Sequence, residues 1–506
     1  MSVDAISLEI LRHALEGVAD EMGAVLKRTS YSPNIKERED FSCAVFSPAG
    51  ELVAQAEHIP VHLGSMPASV AAAIEAFPDM ADGDLIALND PFAGGTHLND
   101  ITVVAPVLAD GRLLGYVANR AHHTDVGGIA PGSIPAGATD IEQEGLRIPP
   151  TKLDAALVAK IKAASRTPIE REGDLHAQSG ANARGSVRLR ELADEWGIDG
   201  LLDAEHALDD YADARVRSAL QDLPLGEWTF TDLLDDDGAG TTDIKIVCTL
   251  RIVDDVEIDL RESDAQVRGN VNSVHAVALS AASFVLRCLV PHDIPVNAGC
   301  WRVLRVLTRD GTVVSARPPA AVGAGNVETS QRITDAIFGA FALAVPDLVP
   351  AASQGTMNNV LIGGDGFSYY ETIAGGAGAT PWGDGASGVH TNMTNTRNTP
   401  IEALEHAYPF RARRYELRDG SGGAGAHRGG DGVVREIEIL TDDATVTLIT
   451  ERRRRGPWGV GGAPDGSPGR NIIDDEEVAP KLTRRVPLGA VVRIETPGGG
   501  GWNPRR

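Results

Sequence analysis

His97-Leu98-Asn99-Asp100 is followed by Ile101 to Leu108, the turn pair Asp110-Gly111, Leu113 to Ala121, and then His122-His123-Thr124-Asp125. Ile101 to Leu108 and Leu113 to Ala121 read as strands, and Asp-Gly between them is a strong hairpin signal. In an antiparallel pair the start of one strand lies beside the end of the other. His97 and Asp100 are therefore expected to face His122 or His123 across the open end of a hairpin. Imidazole nitrogen with a carboxylate suits zinc, manganese or iron, so the arrangement predicts a divalent-metal site. Adjacent strand residues point to opposite faces, and spacing alone leaves the choice between His122 and His123 open. A lone histidine is more often a local hydrogen-bonding group, but the convergence of several candidate ligands favours metal.

Composition narrows the partners. The chain has 506 residues with 42% hydrophobic content, enough for several domains and a large core. Lys+Arg of 46 against Asp+Glu of 71 gives a net charge of −25, which repels nucleic acid and anionic membrane surfaces. Small molecules and other proteins remain as partners. Cys43, Cys248, Cys288 and Cys300 are widely spaced and form no C-x-x-C pair, which fits a reducing compartment. The N-terminus carries no basic region ahead of an apolar run, and no stretch approaches about 18 uninterrupted apolar residues. A soluble, cytoplasmic protein is expected.

Along the chain, Leu11, Leu15, Val18, Met22 and Val25 place one apolar stripe on a helix over 5–27, capped by Ser2 or Asp4. Phe41 to Phe46 and Glu51 to Gln55 read as strands around the turn Ser47-Pro48-Ala49-Gly50, with a helix near Pro67 to Phe77. Residues 126–150 form a Gly/Pro-rich loop directly after the candidate ligands. Helices are expected over 153–165, 169–195 and 203–220, strands from Gly226 to Ile258, a buried helix over Val271 to Val290, strands at Trp301 to Thr308 and Val313 to Ala316, and a helix from Glu328 to Leu343. Beyond 350, glycine clusters alternate with short strands such as Val433 to Leu440 and Thr445 to Thr450. The expected architecture is mixed, α+β and multi-domain: a metal-site domain over 1–220, a central α/β domain over 221–350, and a Gly-rich, β-rich domain over 351–506.

Several familiar signatures are missing. No glycine precedes a lysine, so there is no P-loop, and ATP chemistry would belong to another chain. Gly383 to Gly388 matches G-x-G-x-x-G but lacks the strand before it and the helix after it that dinucleotide binding needs. There is no G-x-S-x-G elbow and no H-E-x-x-H helix. Arg452 to Arg455 reads as a solvated face or a subunit contact. The polar loop Ser387 to Thr396, with His390 and Asn392, is suited to orienting a polar ligand or to satisfying its own turns. Asp40 stands at the start of a strand, where it would be a general base if it faced the metal, but a surface acid at a strand end is the commoner case and the residues alone favour it.

Taken together, Glu39-Asp40-Phe41-Ser42-Cys43, Asn89-Asp90-Pro91-Phe92, His97 to Asp100, His122 to Gly128, Gly325 to Arg332, His390 to Thr396 and Thr496 to Gly501 resemble the hydantoinase B/oxoprolinase family over nearly the whole length. The resemblance implies a companion A-type ATPase subunit, in a heterotetramer or larger assembly, that binds ATP and Mg2+ and phosphorylates the oxygen of a small cyclic amide, lactam or ketone. It implies metal ligands at His97, Asp100 and His122 and a general base at Asp40, with His123, Asp125, His390 and Asn392 supporting the ligands or touching substrate. Phosphorylation would turn a resonance-stabilised amide into an imidate with an electrophilic carbon, and the metal would lower the pKa of water toward neutrality. Ring-opening hydrolysis is the expected reaction. A ketone carboxylase subunit is the alternative within the family, and a noncatalytic assembly subunit with structural zinc is the alternative outside catalysis.

Overall fold

A computed structural model describes residues 4–56 and 59–503. Helix α1 (Ala5–Thr29) begins at Asp4, whose carboxylate accepts the Ile6 and Ser7 amides, so Asp4 is the cap. Its stripe of Leu11, Leu15, Val18, Met22 and Leu26 is fully buried. After the short α2 (Pro33–Lys36) come β1 (Phe41–Phe46), β2 (Leu52–Gln55), α3 (Met66–Ala76), β3 (Ile86–Leu88), β4 (Asp100–Ala109), β5 (Arg112–His122) and β6 (Thr151–Lys152). These strands form one sheet in the order β2-β1-β5-β4-β3-β6. Alternation along β1 sends Phe41, Cys43 and Val45 into the core under α1, and Ala44 and Phe46 into the core under α3. The expected hairpin is present, with its turn at Asp110-Gly111 and Asp100 directly opposite His122. At Gly115 (φ +148°) a Cβ would lie 2.1 Å from the Phe46 carbonyl oxygen, so glycine is what lets β5 close on β1 there.

Helices α4 (Ala155–Ala164), α5 (Pro168–Trp196) and α6 (Ile198–Leu220) follow, the last starting five residues ahead of the expected 203. Long α5 lies across β4 and β5 and against α1. A second sheet, ordered β10-β9-β8-β7, is built from β7 (Gly226–Asp236), β8 (Thr242–Ile252), β9 (Val256–Asp259) and β10 (Leu304–Leu307). It packs with α7 (His275–Leu289) and with α8 (Ser330–Ala344), which continues from a π-helical turn at Gly325–Thr329. Val313 to Ala316, expected as a strand, is instead a tight turn: the Gly311 amide bonds the Ser315 carbonyl, and Val313 and Val314 are simply buried.

The final third is β-rich, as its glycine-punctuated pattern predicts. It contains β11 (Asn359–Gly364), β12 (Phe367–Glu371), α9 (Ile401–Ala407), β13 (Phe410–Arg418), β14 (Gly432–Ile439), β15 (Ala444–Ile449), β16 (Arg470–Ile473), β17 (Glu476–Glu477), β18 (Lys481–Val486) and β19 (Val491–Glu495). Two antiparallel sheets result, β12-β11-β15-β18 and β13-β14-β19-β16-β17, sharing one apolar core. The arginine run after β15 departs from the sequence reading. Arg452 is buried between Asp232 and Asp335, at 2.7 Å from each, because two interior carboxylates need a partner. Arg453 bonds Asn358 and Asn471, and only Arg454 and Arg455 remain exposed, beside Asp243. None of the described helices is long and apolar enough to cross a membrane.

Candidate metal centre

The hairpin's open end carries the site. His97 sits in the turn just before β4, Asp100 opens β4, and His122 closes β5. The amide of His122 also donates to the Asp40 carbonyl (3.0 Å), so β1 delivers Asp40 to the same edge. Asp100 Oδ1 lies 2.9 Å from His97 Nε2 and 3.2 Å from His122 Nδ1. One donor atom from each of the three falls within 4.8 Å of the others, and all three residues are buried. His97 makes no hydrogen bond through either ring nitrogen despite that 2.9 Å approach, and His122 Nε2 is likewise unsatisfied. Donor separations near 3 Å are what ligands about 2.1 Å from a shared ion adopt, so these side chains fit a divalent cation. Among the histidines in question, His122 joins the cluster.

The second oxygen of Asp100 is held separately. Thr96 Oγ1 donates to Oδ2 at 2.9 Å, His62 Nε2 lies 3.4 Å away, and Asn326 Nδ2 donates at 3.4 Å. Burial alone would raise the Asp100 pKa, but the field of His97 and then the ring nitrogens of His122 and His62 beside its two oxygens outweigh it and hold the carboxyl well below its usual range. His62 in turn contacts the Ser42 hydroxyl through Nδ1 (2.9 Å). Tyr370 stacks on His122 with centroids 4.6 Å apart and planes at 16°, and its hydroxyl donates to Asn359. The Arg38 guanidinium lies over the Tyr370 ring at 4.9 Å and donates to the Tyr370 carbonyl. Asn359 also donates to Glu328, whose carboxyl is pushed up to about 8 by burial first and by Glu451 second.

A cavity of about 20 Å³ touches this cluster and is lined by Asp40, His62, Asp100, His122, Asn326 and Tyr370, among others. Asp40 therefore faces the candidate ligands, with its carboxylate accepting from Asn34 at 3.4 Å. The other expected residues lie elsewhere. His123 points to the opposite side of the strand and contacts Gln178 of α5 at 3.0 Å, and desolvation followed by nearby Arg171 pushes its pKa down to about 4. Asp125 accepts from the Gly127, Gly132 and Arg166 amides and pairs with the Arg166 guanidinium, so it shapes the Gly/Pro loop. Asn392 donates to Asp335, and His390 does not line the cavity; Met393, Thr394 and Thr396 of that loop do. His62 and Tyr370 escape sequence reasoning because each is far along the chain from the hairpin. Asn326 lies within the recognisable segment 325–332, which is the one sequence signal that marked it.

The hydantoinase B/oxoprolinase family model matches residues 4–505. An uncharacterized protein of Methanocaldococcus jannaschii is 41% identical over 99% of this chain and 91% of its own length. A 5-oxoprolinase 1 of Arabidopsis thaliana is 39% identical over 99% of this chain, which spans only 42% of that protein. Among solved structures, the ATP-dependent caprolactamase from Pseudomonas jessenii superposes with a TM-score of 0.93 at 31% identity, covering 100% of this chain and 92% of that one. An acetone carboxylase in its nucleotide-free structure superposes with a TM-score of 0.88 at 18% identity, covering 99% and 76%, which is a likeness of fold.

Proposed function

Because the chain belongs to the hydantoinase B/oxoprolinase family, we propose that it is the metal-dependent catalytic subunit of a cytoplasmic, ATP-dependent cyclic amidase, working on an intermediate activated by a separate A-type ATPase subunit. The observation that carries this reading is the convergence of His97, Asp100 and His122 on one buried point, with Asp40 facing the same cavity. Three protein donors beside a cavity suit catalysis, whereas structural zinc takes four protein ligands and leaves none open. Likeness to the caprolactamase favours an amide over a ketone substrate.

His97, Asp100 and His122 would hold zinc, manganese or iron, and the bound ion would supply Lewis acidity and activate water. Thr96, Asn326 and His62 fix Asp100 Oδ2 so that Oδ1 is presented between the two imidazoles. Asp40, on the wall of the same cavity, takes the proton from the attacking water. Once water has added to the carbon of the phosphorylated amide, its C–N bond breaks and that proton passes to the ring nitrogen, so the ring opens to an amine and an acyl phosphate, which a second water hydrolyses to carboxylate and phosphate.

Copurification with the A-type ATPase, followed by a panel of cyclic amides and ketones with and without bicarbonate, tests the assignment. ATP-dependent ring opening without bicarbonate is expected; turnover only with bicarbonate would assign carboxylation instead. His97→Ala and Asp100→Ala should each lose metal by elemental analysis and lose turnover while still binding the partner. Asp40→Asn should keep its metal and lose rate by about 10²- to 10⁴-fold. Full metal content and full turnover in both ligand variants would sink the reading.

A further inference from the structure

The sheet β13-β14-β19-β16-β17 ends in β13, which bonds β14 on one side and, among the described residues, no strand on the other. Its sequence is Phe410-Arg411-Ala412-Arg413-Arg414-Tyr415-Glu416-Leu417-Arg418. Phe410 is buried, whereas Arg413 to Leu417 are exposed in an unbroken run, with Tyr415 at 41% and Leu417 at 49%. At the sheet's other end β17 is only Glu476–Glu477, too short to template a further strand. A long, exposed edge such as β13 is a ready surface for pairing with another strand.

The ladder on β14 shows which backbone groups of β13 are open. The Thr496 amide donates to the Val433 carbonyl and the Ile439 amide donates to the Ala490 carbonyl, so Val433, Ile439 and the alternate residues between them bond away from β13. The intervening residues bond toward it: Val434 stands opposite Glu416, and Glu436 opposite Arg414. Arg414 and Glu416 therefore spend their backbone groups inside the sheet, and Tyr415 between them turns its N–H and C=O to the open edge, as does Leu417. Ala412, across the bulge, gives its amide to Glu405 of α9 at 2.9 Å, which closes the open stretch at that end.

Side chains on the strand identify what fits there. Arg411 and Arg413 both reach Glu438, and Arg414 lies beside Glu416 and 3.6 Å from Glu436. An edge guarded against pairing carries like charges that repel a copy of itself, but this one alternates in sign across Tyr415. An antiparallel copy centred on Tyr415 sets Arg414 against Glu416 twice, once on each side of the axis, and joins the two outward-facing Tyr415 backbones. Centring on Arg413 or Arg414 would set arginine on arginine, and centring on Glu416 would set glutamate on glutamate and Arg414 on Arg418. Centring on Leu417 would leave only Glu416 to Arg418 in overlap. We infer that β13 is an interface between two copies of this chain, paired antiparallel about a two-fold axis through Tyr415. The overlap from Arg413 to Leu417 is small beside a standard interface, so the dimer exchanges with monomer and depends on concentration. This inference is independent of the amidase reading.

Sedimentation velocity of the full chain over a concentration series, alone and copurified with its ATPase, tests the pairing. Wild type should pass from monomer to dimer as concentration rises. Arg414→Glu and Glu416→Arg each set like charges across the axis and should raise the dissociation constant by about 10-fold or more, with circular dichroism and metal content unchanged. An equimolar mixture of these two single variants should dimerise again, because opposite charges then meet at both positions, and the double variant Arg414→Glu/Glu416→Arg should associate as wild type does. A wild type that stays monomeric at every concentration, a dimer that neither single variant weakens, or a mixture that associates no better than either variant alone would overturn the inference. Single variants that release the ATPase while self-association stays as in wild type would overturn it too, and would give this edge to the ATPase instead.

Discussion

Asp100 is a carboxylate with two jobs: Oδ1 stands between two imidazoles, and Oδ2 is fixed by Thr96, His62 and Asn326. Groups that orient a ligand typically change metal affinity by about 10- to 100-fold when removed. His62→Ala should therefore weaken metal binding by about that factor in chelator competition, with the far-ultraviolet circular dichroism unchanged. An affinity within twofold of wild type would show that Thr96 and Asn326 hold Asp100 without His62. The sequence made the core of this site legible because His97, Asp100 and His122 belong to one hairpin, where a single turn signal fixes which ends meet. It hid His62, which sits in the 3-10 turn Pro60–His62 on another connection, and Tyr370, which arrives from β12. The segment 387–396 was recognised as polar and loop-like, yet which of its side chains turn inward depends on backbone geometry such as the positive φ of Asn392. No periodicity encodes that choice.

Helices show the same division between pattern and context. The α1 stripe is apolar throughout and begins at a side-chain cap, so its sequence announces it. Helix α6 buries Leu201, Ala204, Leu208, Ala212 and Val216, but also Glu205 and Asp209 on the same face, and it begins at Ile198 without a capping side chain. Those acids explain why its first turns escaped the periodic reading. They also make α6 sensitive to pH. Burial, then the charge of Asp209, pushes Glu205 up to about 8, and burial raises Asp209 to about 6. Between the ordinary carboxylate range and pH 8, the folded chain keeps a proton on Glu205 that the unfolded chain has released. That stabilising contribution is complete below the unfolded pKa and is lost as pH rises through 8, at up to about 1.4 kcal/mol per pH unit. Glu205→Gln should flatten the loss between pH 5 and 8 and leave the smaller slope from Asp209 below about pH 6. Urea midpoints at pH 5, 7 and 8.5 check this, and parallel profiles for wild type and variant would refute it.

Across the whole molecule, one buried ionic knot ties the second sheet, α8 and the β-rich third together. Arg452, just after β15, pairs with Asp232 of β7 and Asp335 of α8; Arg332 contacts the same two carboxylates at 3.4 and 3.0 Å, and Trp458 donates to Asp232. Such a knot is weak evidence for net stability, because desolvating the charges offsets their attraction, but breaking it leaves carboxylates buried with too little positive charge. Arg452→Met should therefore cost roughly 3–5 kcal/mol in denaturant unfolding. The double variant Arg452→Met/Asp232→Asn removes one of the stranded charges and should cost less than the sum of its two single changes, with an interaction energy of about 0.5–3 kcal/mol. Metal content should stay at the wild-type value in both, since the ligands are carried by the hairpin of the first sheet. Strictly additive costs would mean that Arg332 alone neutralises both acids, and Arg452 would then owe its burial to the path of the chain after β15 rather than to its charge.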